Sequence, residues 1–146
     1  MGILQLQIIY GKNMIQLPES LTYIGGYAFG NAFLRAVTLS RIYIPGTVTT
    51  LAQGAFANFI CTVRLFELGS KENKSKLKYI ANADIQNPND SSNGGNYIYT
   101  QNGGNTENVS IWFSNTTQKI RFEQIMAASY IVFSGSSAIN WNEDSN

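Results

Sequence analysis

The segment Leu17 to Phe33, LPESLTYIGGYAFGNAF, recurs 27 residues on as Ile44 to Ile60, IPGTVTTLAQGAFANFI. In that one gapless register Pro18 falls on Pro45, Thr22 on Thr49, Ala28-Phe29 on Ala55-Phe56 and Asn31 on Asn58, five identities in 17 columns. Leu17/Ile44, Leu21/Val48 and Ile24/Leu51 keep their apolar character. Self-similarity at a fixed period of this size marks a unit that cannot bury its apolar face alone and stacks on its neighbour. The expected fold is a short solenoid, mainly β, with few or no long helices.

Within each copy a β-type run comes first, MIQLP at 14–18 and RIYIP at 41–45, and its period of two puts Ile15/Leu17 and Ile42/Ile44 on one side. Proline cannot donate to a strand ladder, so Pro18 and Pro45 mark the strand margins. Glu19-Ser20 and Gly46-Thr47 then supply a turn. Leu21/Ile24 and Val48/Leu51 follow at a spacing that suits one tight turn of helix or an irregular arc. The Ala-Phe pairs set a small residue beside a large one, as the interior of a stack of coils requires.

The pattern LPxxLTxIGxxAFxN followed by an apolar strand resembles the leucine-rich repeats of the BspA type, found in bacterial surface proteins and in some protozoan and phage-encoded ones. The resemblance covers residues 13 to about 67. It departs from the family in a longer period and in Asn58-Phe59, where a cysteine often follows the Ala-Phe pair. It implies a right-handed coil whose repeated sheet presents a surface to a protein or glycan, in an extracellular or cell-surface protein of which this chain is part.

Beyond Phe66 the period fails, because KENKSK begins where another apolar-proline pair should stand. Residues 68–146 read as a β-rich C-terminal cap or degenerate repeats, the atypical unit that an open solenoid end requires. The tetrapeptide NGGN at 93–96 and again at 102–105 brackets YIYTQ. That reads as turns around a strand, Tyr97 to Gln101, or as an unstructured Asn/Gly-rich loop over 86–108. Further alternation predicts strands near 108–114, 118–125 and 129–134. Residues 3–10 alternate as well, and either cap the other end or continue upstream coils.

Several function classes recede on composition. Charged residues are 13% and the net charge is +1, too little field to gather nucleic acid. The basic residues Arg64, Lys71, Lys74, Lys76 and Lys78 are interleaved with Glu67 and Glu72 and read as a solvated loop. There is no histidine, so the usual general base and the commonest transition-metal ligand are missing. The lone Cys61 reads as a buried small hydrophobe. The carboxylates are scattered, the glycine-rich stretches match no phosphate loop, and Asp84, Asn87, Asn89 and Asp90 lack a calcium-loop register. No enzyme, metal or cofactor is expected. Neither a signal peptide nor a membrane span is read in the chain.

Binding surface remains. On the repeat sheet the inward positions are Ile15, Leu17, Ile42, Ile44, Val63 and Leu65, and the outward ones Met14, Gln16, Arg41, Tyr43, Thr62 and Arg64. Tyrosine and arginine are enriched where interfaces draw most of their energy. Arg41, Tyr43 and Arg64 with Gln16 are therefore the first candidates for partner contact, and Tyr97, Tyr99 and Trp112 the second. The leading expectation is non-catalytic adhesion or binding to a protein or glycan. The alternative is a structural subunit of a larger assembly, such as a virion, appendage or filament, that self-associates through the same surface.

Overall fold

Parallel pairing of successive strands turns the repeat into a stack. The computed structural model describes residues 7–9, 14–29, 38–57, 61–81, 83–88, 98, 105–127 and 139–142. Strand β1 (Gln7–Ile9) precedes coil 1, which carries β2 (Met14–Gln16), β3 (Tyr23–Ile24) and β4 (Thr38–Leu39). Coil 2 carries β5 (Arg41–Ile44), β6 (Thr50–Leu51) and β7 (Thr62–Val63). Coil 3 carries β8 (Phe66–Leu68), β9 (Tyr79–Ile80) with β10 (Ala83–Asp84) beside it, and β11 (Asn105–Thr106). Then come β12 (Val109–Trp112), helix α1 (Thr116–Ala127) and β13 (Ile139–Asn142). The chain is a β-solenoid of about three turns with a short helix.

Among the described residues three sheets form its walls, in the orders β1-β2-β5-β8-β12-β13, β10-β9-β6-β3 and β11-β7-β4. Register sets like on like. Ile15, Ile42, Phe66 and Val109 face one another along the first sheet, Ile24, Leu51 and Ile80 along the second, and Leu39 and Val63 along the third. All are buried, and together they make the core. Thr106 continues the third row, fully buried, and its Oγ1 has no hydrogen-bond partner among the described residues.

The same turn recurs in coils 1 and 2. Leu21 N–H donates to Pro18 O at 3.0 Å, and Val48 N–H to Pro45 O at 3.1 Å. Thr47 Oγ1 then reaches back to Glu19 O and Leu21 O at 2.8 and 2.7 Å, tying coil 2 to the coil beneath. At the Ala-Phe pairs, Phe29 stacks on Phe56 with centroids 4.9 Å apart and planes within 5°, and Phe56 meets Phe66 edge-on at 5.4 Å.

The first-sheet register gives coils of 27, 24 and 43 residues, from Ile15 to Ile42 to Phe66 to Val109. A fixed period therefore cannot find coil 3. Part of its extra length enters after Leu68, where Gly69 to Lys74 loops out before Leu77 and Ile80 restore the apolar spacing of Leu21 and Ile24, and the larger part lies between Ile80 and Thr106. That loop comes down on coil 2. Lys76 N–H donates to Gly46 O at 3.0 Å, and a Cβ built on Gly46 would stand 2.0 Å from Asn73 O.

Two expectations are corrected. Val63 and Leu65 are not neighbours on one strand: Val63 lies in the third sheet, the chain bends at Arg64-Leu65, and the first-sheet strand is Phe66–Leu68. A corner between sheets resets the alternation, so Phe66 and Leu68 are buried while Leu65 is half-buried. The expected strand at 118–125 lies within α1. Asn115 Oδ1 accepts Gln118 N–H at 3.0 Å, and Gln118 Oε1 accepts Ser114 N–H at 3.3 Å, a reciprocal cap that starts a helix. The buried residues are Phe122 and Ile125, three apart on one helix face, whereas Ile120 is exposed. The expected strand at 129–134 lies outside the described residues, as does 97–101 apart from the buried Ile98.

Reversed strands end two of the sheets. β1 pairs antiparallel with β2 beside coil 1, and β10 pairs antiparallel with β9 in coil 3, so a short antiparallel strand forms each of these edges. A very short edge strand offers little template for strand addition. Beside β12 and β13, Phe113, Phe122 and Trp141 pack mutually with centroids 5.4 to 5.6 Å apart. No helix among the described residues is long and apolar enough to cross a membrane.

Candidate functional site

The outer face of the first sheet carries a polar cluster built from consecutive coils. Gln16, Tyr43, Glu67 and Ser110 stand in one cross-strand row. Arg41 Nε donates to Glu67 Oε1 at 2.9 Å, its Nη2 bonds the same oxygen, and its guanidinium lies 4.8 Å from the Tyr43 ring centroid. Tyr43 O–H points to Glu19 Oε2 over a long 3.5 Å, and Asn73 Nδ2 reaches that oxygen at 3.3 Å. Burial pushes the Tyr43 phenol above its ordinary pKa, against the lowering effect of a hydrogen bond with Ser70. It stays protonated and acts as a donor.

This cluster differs from the contact surface expected of it. Tyr43 is only 6% exposed, covered where an open ring was expected, because residues 70–73 and Glu19 close over it. Arg64 is exposed but sits on the bend between β7 and β8, and Glu67 takes the place expected for it beside Tyr43. Gln16 is exposed next to Tyr43, and Trp112 is half-buried at the far end of β12. Tyr97 and Tyr99 lie outside the described residues. The structure thus brings together Gln16, Arg41 and Tyr43, and holds Arg41 and Tyr43 in contacts internal to the chain.

A different face is open. On the second sheet Tyr23 pairs with Thr50 and Thr50 with Tyr79, so the two tyrosines flank a threonine on adjacent coils. Each is 45% exposed while the next residue, Ile24 or Ile80, is fully buried. Tyr27 adds a third ring, 62% exposed. Tyr23, Gly26, Tyr27, Ala52 and Gln53 line an open recess of about 370 Å³ beside the row. No protein-family model, curated protein or solved structure matches the chain.

Tyr27 has a φ of 60°, the left-handed region that a bulky residue rarely enters. Its N–H donates to Gly54 O at 3.0 Å, and Gly54, the equivalent position in coil 2, has a φ of 67°. Coil 2 thus uses glycine where coil 1 holds an exposed aromatic ring. Left-handed backbone costs a non-glycine residue roughly 1–2 kcal/mol. Glycine loses roughly 0.5–1 kcal/mol more on ordering. Tyr27→Gly is expected to stabilise the fold by about 0.5–1 kcal/mol, read as a rise in the urea midpoint at unchanged slope. A fall in stability would mean that the ring is held by packing worth more than the strain.

The tyrosine row was legible in principle. The dipeptide Tyr-Ile stands at 23–24 and again at 79–80, with Thr-Leu between them at 50–51. The two copies are 56 residues apart, off the 27-residue period, because coil 2 is shorter than coil 1 and residues are inserted after Leu68.

Proposed function

We propose that this chain is a non-catalytic recognition module, and that Tyr23, Tyr27 and Tyr79 on the second sheet are its contact surface. The supporting observation is that three large rings remain exposed on one face of a stack whose apolar rows are otherwise buried. Rings on short, paired strands are already ordered, so they lose little freedom on binding, and a strained backbone kept at Tyr27 is of the kind that clusters at functional sites. The motif LPxxLTxIGxxAFxN supports placing coils 1 and 2 in the BspA-type leucine-rich-repeat class, and with it an extracellular or cell-surface setting within a longer protein.

Subunit packing in an assembly is the second reading. It is favoured by β13, beyond which no further strand of the first sheet is found among the described residues. Light scattering after size exclusion distinguishes the two: a chain that stays monomeric at high concentration speaks against assembly. For recognition, wild type is compared with the Tyr23→Ala/Tyr79→Ala double variant on a panel of secreted proteins, glycans and intact cells. Binding by wild type that falls at least roughly tenfold in the variant supports the reading, since aromatic anchors dominate such surfaces. Equal binding by the two, or no binding by wild type, overturns it.

A further inference from the structure

We infer that the tyrosine row takes a neutral, linear oligosaccharide lying along the stacking axis, with one sugar ring on Tyr23 and another on Tyr79. This rests on the recognition reading and names the ligand class for the same face. Tyr23 and Tyr79 are two strand positions apart in a parallel register, Tyr23 to Thr50 to Tyr79. Neighbouring strands are separated by about 4.8 Å, so the two ring positions stand roughly 9.6 Å apart along the axis. That distance is comparable with the span of a disaccharide unit in an extended pyranose chain. Rings so placed meet alternate sugars on the same side.

The remaining chemistry points the same way. Sugars present an apolar face of C–H groups to an aromatic ring and a rim of hydroxyls to hydrogen-bonding neighbours. Thr50 lies between the two rings, and Gln53 lines the adjoining recess, so polar residues border the row as that rim requires. The row ends at Asp84, the cross-strand partner of Tyr79, and among the described residues neither row nor recess carries a cationic side chain. Single-stranded nucleic acid also stacks on aromatic platforms but needs a cationic groove to track its backbone. A row that lacks a cation and ends in a carboxylate fits a neutral ligand better than an anionic one. An open recess with rings set on a sheet face also suits a polymer passing across the surface rather than a small molecule enclosed in a pocket. Tyr27, at the side of the row, is placed to meet a sugar through the strained loop that presents it.

The test is calorimetric titration of the full chain with neutral gluco-, xylo- and manno-oligosaccharides from disaccharide to hexasaccharide, followed by single variants. Affinity is expected to rise with length until the ligand spans both tyrosines and then to level off. Tyr23→Ala and Tyr79→Ala should each weaken binding roughly tenfold, while Tyr23→Phe and Tyr79→Phe keep most of it, because stacking needs the ring and not the hydroxyl. Unchanged circular dichroism and thermal midpoint in the alanine variants guard against reading misfolding as lost contact. Binding of a protein or a charged polymer that needs both tyrosines, with no oligosaccharide bound, would overturn this inference and leave the recognition reading standing. Absence of any ligand on this face would remove both.

Discussion

Replacing Phe56 by alanine is expected to cost about 3–5 kcal/mol, the range for deleting a buried aromatic ring. The ring is fully buried, stacked on Phe29 at 4.9 Å and edge-on to Phe66 at 5.4 Å, so it touches the coils on either side of its own. Its loss would open a cavity shared by three coils, and a solenoid with so few has no distant repeat to compensate. Against a total of roughly 5–15 kcal/mol for an ordinary domain, this is a large fraction. Chemical denaturation of Phe56→Ala should show a much earlier midpoint, with Phe56→Leu intermediate. A loss below about 1 kcal/mol would mean that the two ring contacts do not hold in solution.

Gly46→Ala should be nearly as damaging, for a different reason. A Cβ there would stand 2.0 Å from Asn73 O and 2.6 Å from Lys74 O, and both obstacles are backbone that no side-chain rotation can move. The coil 3 loop must lift, and Lys76 N–H then loses its 3.0 Å bond to Gly46 O. Overpacking of this kind costs roughly 1–3 kcal/mol, and a backbone obstacle puts the expectation at about 3 kcal/mol. The thermal midpoint should fall by roughly 10 °C. Deleting part of 70–74 in the Gly46→Ala background should restore some of that loss, since it removes the obstacle. No recovery would place the strain elsewhere.

Much of the architecture could be read from residues. The Ala-Phe and proline positions of two coils, the inward facing of Ile15, Leu17, Ile42 and Ile44, and the strand over Val109–Trp112 all follow from periodicity, which reports burial directly. What eluded the sequence was displaced by insertion or by a change of wall. Coil 3 is shifted by the loop after Leu68, the corner at Arg64-Leu65 resets the alternation, and the start of α1 is encoded by the Asn115/Gln118 cap rather than by an apolar stripe. The candidate site was less legible. Period-two logic does put Tyr43 on the outer side of its strand, but it cannot tell that Ser70, Asn73 and Glu19 close over the ring. Such contacts come from chain far away in sequence. Tyr23 and Tyr79 become a pair only once coil 3 is recognised.

In all three sheets the ladder bonds between coils run along the stacking axis. Neighbouring coils are held by a three-residue rung in the first sheet and two-residue rungs in the others. A stretching force applied along that axis therefore loads one coil boundary after another in series, and the weakest boundary sets the force at which the stack yields. A force applied across the axis shears the rungs of a boundary together and meets more resistance. A chain built this way would be compliant when pulled end to end and stiff when dragged sideways.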